Sequence, residues 1–332
     1  AVCRPEERLR DGQGRAIRYL RVSVTDRCNL RCRYCMPEGG VEWMDHSTLL
    51  SYEQIARLVG LFARLGVEKV RLTGGEPLVR RDLHRLTAAV SGTPGIREVA
   101  VTTNGVLLAE QLPSLVEAGL TGVNMSLDTL DREQFAAITR RDRLPAALAG
   151  LEAALAVPGL KVKLNCVPMG ENDSQLVPLA ALARDRDLSV RFIELMPIGL
   201  GGSFPRRTEA EVLERLEAAF GPARACPQDE GGGPGRYITF DGFRGRVGFI
   251  SAMTHRFCDR CNRVRLTSSG FLKTCLQYDR GAALKPLLDA GAEDEDILAA
   301  IRRAVGDKPE GHHFTGPAGP GDEARNMSQI GG

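Results

Sequence analysis

Cys28, Cys32 and Cys35 stand in the run Asp26-Arg27-Cys28-Asn29-Leu30-Arg31-Cys32-Arg33-Tyr34-Cys35-Met36-Pro37, three thiols in one short loop. Three thiolates can hold three irons of a [4Fe–4S] cubane and leave the fourth iron open to a substrate or cofactor. A structural zinc site prefers four ligands in separated pairs, which C-x3-C-x2-C spacing does not supply. The spacing therefore points to chemistry at an open iron.

A second triplet, Cys258, Cys261 and Cys275, begins with a C-x2-C pair. Between Cys261 and Cys275 the order is β-rich run, Ser268-Ser269-Gly270, β-rich run, the pattern of a hairpin that folds Cys275 back opposite Cys261. Two readings stand for this triplet: a second open cubane, or a structural zinc completed by His255. Arg263 and Arg265 alternate on one face of the hairpin, where two cations beside a metal could hold an anionic substrate. The remaining cysteines, Cys3, Cys166 and Cys226, read as inert or buried thiols.

The elements that must position these groups alternate. Short β-rich runs at 19–25, 67–73, 97–103, 122–128, 161–167 and 189–195 are separated by helical patterns, which predicts βα units on a parallel sheet. Residues 51–65 are the clearest helix: Ser51 and Gln54 form a capping-box signature, and Ile55, Leu58, Val59 and Phe62 an apolar stripe. Six repeats suggest an incomplete barrel, with an open doubly wound sheet as the alternative. The unusual residues favour the barrel, because they cluster at C-terminal strand ends. These are the cysteine loop, Gly74-Gly75-Glu76-Pro77, Thr102-Thr103-Asn104-Gly105, Ser126-Leu127-Asp128, Asn165-Cys166-Val167 and Glu194-Leu195-Met196-Pro197.

Strand parity adds a second constraint, since alternate residues share a face. Arg21, Ser23 and Thr25 share one, as do Lys69, Arg71 and Thr73; Asn124, Ser126 and Asp128; and Lys161, Lys163 and Asn165. The opposite faces are apolar and suit packing against helices. The polar face should line a wet bore whose cations form a pocket for a small polyanion.

The bulk composition sets the outer limits. The chain has 332 residues, 43% hydrophobic and 26% charged, with 44 basic and 42 acidic side chains for a net charge of +2. No overall basic field points to nucleic acid or an anionic membrane, so positive potential must be local. No run approaches 18 apolar residues, and residues 1–18 lack the apolar core of a signal peptide; the expected location is the cytoplasm. Character changes near residue 221, suggesting a first domain at 1–222 and a second at 223–332. In the second, Gly231 to Gly235 reads as a flexible break, 237–250 as short β structure and 294–305 as a helix. From composition alone, 316–332 reads as a mobile tail.

Cys28-x3-Cys32-x2-Cys35 after a first strand, with Gly74-Gly75-Glu76-Pro77 after the second, resembles the radical S-adenosylmethionine superfamily. The C-terminal C-x2-C-x13-C triplet and the terminal Ile330-Gly331-Gly332 are similar, more narrowly, to the GTP 3′,8-cyclase family of molybdenum cofactor biosynthesis. The resemblance implies an incomplete (β/α)6 barrel of TIM type whose mouth is closed by a C-terminal iron–sulfur extension. It also implies two [4Fe–4S] clusters and S-adenosylmethionine, cleaved at the first cluster to a 5′-deoxyadenosyl radical. Tyr34, Gly74, Gly75, Glu76, Ser126 and Met196 would contact that cofactor. Arg21, Arg71, Thr102, Lys163, Arg263 and Arg265 would hold GTP, with Lys69 and Arg191 as additions.

By the same resemblance, the radical abstracts hydrogen from the ribose 3′ carbon, and the sugar radical attacks carbon 8 of guanine to give 3′,8-cyclo-7,8-dihydro-GTP. Arg21 and the tail glycines Gly331 and Gly332 would join the first cysteines at the reacting centre, while the second cluster binds the guanine edge. The implied partners are a low-potential electron donor, a downstream cyclic pyranopterin monophosphate synthase and a second copy in a homodimer. Two other readings remain at this stage: an auxiliary-cluster radical enzyme that modifies a peptide, and a zinc-binding scaffold.

Overall fold

The computed structural model describes residues 8–226, 233–314 and 321–331. Cys3, Gly231, Gly232, residues 316–320 and Gly332 lie outside that range. Six parallel strands come from the βα repeats: β1 (Tyr19–Ser23), β2 (Lys69–Thr73), β3 (Glu98–Thr103), β4 (Gly122–Ser126), β5 (Lys161–Cys166) and β6 (Ser189–Ile193). They lie side by side in chain order, each parallel to the next. A doubly wound sheet would reverse strand order at a switch point; this one does not.

Later strands enlarge the same sheet at both edges. They are β7 (Arg224–Cys226), β8 (Arg236–Thr239), β9 (Arg246–Ile250), β10 (Arg263–Leu266), β11 (Phe271–Lys273) and β12 (Gly281–Ala283). β9 pairs in parallel with β6, and β10 in parallel with β1. The full order is β12-β11-β10-β1-β2-β3-β4-β5-β6-β9-β8-β7, so the barrel is partial and the sheet stays open. Antiparallel pairing of β10 with β11 is the hairpin predicted between Cys261 and Cys275.

Local rules explain the frame. The helix Tyr52–Arg64 begins at a capping box: Ser51 Oγ accepts from Gln54 N at 3.1 Å, and Gln54 Oε1 from Ser51 N at 3.0 Å. Its stripe of Ile55, Leu58, Val59 and Phe62 is fully buried, each side chain contributing about 1.5–3 kcal/mol by leaving water. That stripe shares one core with Val22, Val70, Leu72, Val123, Met125, Val162 and Leu164 from the apolar strand faces. The opposite, polar faces are thereby committed to the concave side. Cys166 is buried in this core and Cys226 half-buried on β7.

The tail departs from its compositional reading. Glu323 N donates to Gln277 O at 2.5 Å, Asp279 N donates to Gly321 O at 3.0 Å, and the helix Met327–Ile330 ends on a fully buried Ile330. The anchor is ionic: the Lys273 ammonium meets the Glu323 carboxylate where both side chains are buried, and Arg325 Nε adds a bridge at 2.9 Å. Glycine content suggested mobility, but one apolar residue and one buried ion pair hold the described part, 321–331. Removing a single partner of such a pair leaves an uncompensated charge. Glu323→Ala should therefore cost about 3–5 kcal/mol in denaturant unfolding, and a loss below about 1 kcal/mol would contradict the anchor.

Candidate active site

All six cysteines of the two triplets line one chamber on the concave face, with the cations of β1, β2, β5, β6 and β10 between them. The first triplet sits in a loop pinned from outside. Arg31 N donates to Thr139 O and Arg33 N to Ile138 O, both at 2.9 Å, seating the loop on the end of the helix Arg132–Thr139. Arg140, left-handed at φ 56°, turns back to donate to Arg31 O and Met36 O. Tyr34 Oη donates to Asp128 at 2.8 Å, and Asp128 also accepts from Val167 N. Burial lifts the Asp128 carboxyl to about 6.

The Gly74-Gly75 pair is a matter of space. A Cβ at Gly74 would stand 2.4 Å from Thr25 O, and one at Gly75 would stand 2.4 Å from Arg27 O. Gly75 N and Glu76 N use that closeness to donate to the same two carbonyls, tying the cysteine loop to the end of β2. Glu76 lines the chamber, yet its oxygens accept from Thr103 Oγ1, Asn104 N and Leu78 N. Its position joins three strand-end loops, and burial raises its carboxyl to about 7. Asn104 extends the link, donating to Asn29 Oδ1 at 2.7 Å and lying 4.0 Å from Cys28 Sγ. Ser126 and Met196 line the same end.

Burial pushes the Cys28 thiol up to about 11 and the Cys35 thiol up to about 12, and holds Cys32 well above the usual thiol range. Three thiolates gathered there need a strongly cationic partner, which the irons of a cluster supply; the donor set fits. Ser328, on the terminal helix, adds a backbone hydrogen bond to the Cys35 sulfur.

Arg21, Lys69, Arg71, Lys163, Arg191, Arg263 and Arg265 all reach the chamber wall, together with Thr102. They do not stand alike. Lys69 spends its charge on Glu98 at 2.6 Å. Arg191 is buried and aimed by two asparagines, Asn165 Oδ1 at 2.6 Å and Asn124 Oδ1 at 2.6 Å. Tyr19, a residue the parity argument did not single out, lies under Lys69 and Arg71, with Arg71 Cζ 5.2 Å from its ring centre. Among the described residues, Tyr19 Oη, Arg71 Nε and Thr102 Oγ1 are buried without a hydrogen-bond partner, as polar atoms facing a polar ligand would be.

Crowding shows in the protonation equilibria. Burial, then neighbouring Arg265, holds Arg21 well below the usual guanidinium range. Burial and Arg263 lower Arg265 to about 10, while burial and Arg191 lower Lys163 to about 7. A polyanion is the complement of such a wall, and arginine forks suit phosphate oxygens.

At the other end, Cys258 and Cys261, on and just after the short 3-10 turn Cys258–Arg260, and Cys275, just after the hairpin, line the chamber. Arg263 crosses the ring of Phe257 at 5.0 Å. Burial raises the Cys261 thiol, but Lys308 and Arg263 outweigh it and hold the group at about 7. Three cysteines on one stretch of chamber wall are a donor type suited to a thiolate-bound metal group. His255, the conceivable fourth zinc ligand, is instead exposed and stands 3.7 Å from the buried Glu209 carboxylate. The tail closes the chamber between the two ends. Gly331 O accepts from Arg265 Nη1 at 2.6 Å, and a Cβ at Gly331 (φ 79°) would lie 3.2 Å from both Ser23 Cβ and Thr73 Cγ2.

The depressed Lys163 couples anion binding to proton uptake. At pH 8 its amine is mostly neutral, and a bound polyanion favours the charged form. Inorganic triphosphate should therefore bind with uptake of about one proton at pH 8, seen by calorimetry in buffers of different ionisation enthalpy. Lys163→Met should remove most of that uptake; equal uptake in the variant would contradict the assignment.

Residues 22–183 match the family model of the Radical SAM superfamily, and residues 188–314 match Molybdenum Cofactor Synthesis C. The GTP 3′,8-cyclase of Pelotomaculum thermopropionicum is 47% identical over 328 residues, covering 98% of this chain and 100% of that one. That of Heliobacterium modesticaldum is 46% identical, covering 97% and 99%. Among solved structures, Streptococcus suis SuiB bound to S-adenosylmethionine shares the fold, with a TM-score of 0.57 over 86% of this chain and 68% of that one at 18% identity. With such identity to relatives matched over nearly their whole length, the chain belongs to the GTP 3′,8-cyclase family of radical S-adenosylmethionine enzymes.

Proposed function

We propose that this enzyme converts GTP to 3′,8-cyclo-7,8-dihydro-GTP, the first step of molybdopterin biosynthesis, with S-adenosylmethionine and two [4Fe–4S] clusters. One observation carries the reading: a cationic wall stands between two cysteine triplets inside a single chamber. A triphosphate answers that wall, whereas a peptide substrate brings no comparable charge.

Cys28, Cys32 and Cys35 hold the first cluster, and Cys258, Cys261 and Cys275 the second. S-adenosylmethionine held beside these cysteines would supply, on one-electron reduction, the radical chemistry needed at the ribose 3′ carbon. The chain's own residues do the positioning. Tyr34, Gly74, Gly75, Ser126 and Met196 shape the cofactor's seat, and Glu76 keeps the strand-end loops around it in register. Arg21, Arg71, Lys163, Arg191, Arg263 and Arg265 hold the triphosphate and fix the sugar, with Thr102 and Tyr19 as neutral donors. Lys69, already paired with Glu98, helps orient Tyr19 more than it binds phosphate. Cys258, Cys261 and Cys275 would hold the second cluster where it could bind the guanine edge. Gly331 fills the space beside Arg265 and keeps water and stray hydrogen donors from the radical; the same role is assigned to Gly332, which lies outside the described residues.

The electron comes from a low-potential carrier, and the product passes to a cyclic pyranopterin monophosphate synthase. We place the enzyme in the cytoplasm as a homodimer; among the described residues no helix is long and apolar enough to cross a membrane.

Reconstituted protein should carry about eight irons per chain and form 5′-deoxyadenosine from S-adenosylmethionine only when GTP and a strong reductant are present. Equal formation without GTP would argue against GTP as substrate. Cys28→Ala should abolish cofactor cleavage. Cys258→Ala should keep cofactor binding and lose cyclisation, and retained cyclisation would refute the substrate role of the second cluster.

A further inference from the structure

The second triplet is held by two cations that the chemistry above does not use. Lys308, just beyond the helix Asp294–Gly306, is 4% exposed. Its Nζ donates to Arg263 O at 3.2 Å and to Thr274 O. Those carbonyls belong to the residue two beyond Cys261 and to the residue immediately before Cys275. Arg15 performs the matching task for the third ligand: its Nη1 donates to Cys258 O at 2.5 Å. The same guanidinium holds the segment that carries Lys308, through Glu310 O at 2.7 Å and Pro309 O at 2.6 Å. Asp11, its side chain wholly buried, orients Arg15 by an ion pair at 2.6 Å. Gly311 then lies so close that a Cβ there would stand 3.3 Å from Cys258 Cβ.

Each of the three ligand segments is thus fastened through a main-chain carbonyl, and both fasteners are positively charged. We propose that Arg15 and Lys308 form a cationic clamp that positions the second triplet and sets the reduction potential of the cluster it holds. The inference rests on the two-cluster reading. Two physical consequences separate the clamp from ordinary packing. A nearby positive charge favours the more negative, reduced state of a cluster, so removing it lowers the potential. Loosening Arg263 O releases the strand that presents Arg263 to the substrate, which weakens GTP binding without touching the first cluster.

Lys308→Met and the charge-retaining Lys308→Arg should be reconstituted beside the full-length wild type. Each is read by iron content, by redox titration of each cluster followed by electron paramagnetic resonance, and by GTP affinity. Lys308→Met should keep about eight irons and an unchanged first-cluster potential. Its second-cluster potential should fall, and its GTP Kd should rise about tenfold, the scale of a lost hydrogen bond to a charged group. Lys308→Arg should stay near the wild-type potential. If Lys308→Met does not fold, Lys308→Gln, neutral but hydrogen-bonding, takes its place with the same expected fall. An eight-iron Lys308→Met or Lys308→Gln protein with an unmoved second potential overturns the clamp alone. A wild type with about four irons overturns the two-cluster reading, and the clamp with it.

Discussion

Six cationic side chains, Arg21, Arg71, Lys163, Arg191, Arg263 and Arg265, are turned into one chamber, and burial makes the charge of Arg21, Lys163, Arg191 and Arg265 expensive. The penalty for taking an ion out of water is several kcal/mol, and like charges nearby add to it. The rest of the fold is arranged to sustain that arrangement. Apolar faces of the same strands lock into a continuous core, so a register slip that would return the cations to water would also strip the core. Asparagines at 124 and 165 hold Arg191 without neutralising it. An anion entering the chamber meets charge already oriented, so little is spent on rearrangement when it binds.

The two ends of the chamber are built differently. At the first triplet the protein supplies buried carboxyl groups, Glu76 and Asp128, that organise loops and leave the thiols pushed upward. At the second it supplies cations at the backbone, Arg15 and Lys308, and one thiol is drawn downward. The terminal helix spans both, with Ser328 at Cys35 and Gly331 at Arg265. Its anchor on Lys273 ties that contact to the hairpin bearing the second triplet.

Much of this was legible in the sequence wherever the signal was local. Two-residue alternation disclosed the polar face of β1, β2, β4 and β5, because a buried opposite face admits a single register. Thiol spacing disclosed both triplets, and Ser51 with Gln54 disclosed a helix start. What stayed hidden depends on distant pairing. Arg15 and Cys258 are separated by 243 positions, and nothing near either one announces the contact. The same holds for β9 and β10 joining opposite edges of the first six strands, and for Tyr19 under the cations. Glu76 was readable as part of a strand-end motif, but not its use of both oxygens on neighbouring loops. The tail misled in a different way. Its glycines suggested mobility, whereas Gly331 is held at φ 79° where a Cβ would crowd Ser23 and Thr73 at 3.2 Å.

The central claim is that the chamber holds GTP with its ribose 3′ carbon facing the first triplet and its base facing the second. The most direct measurement is a turnover with GTP deuterated at that carbon, followed by mass spectrometry of the 5′-deoxyadenosine formed. Deuterium transferred into 5′-deoxyadenosine together with loss of the label from the cyclised nucleotide is the predicted result. Unlabelled 5′-deoxyadenosine, formed while GTP is consumed, would contradict that placement.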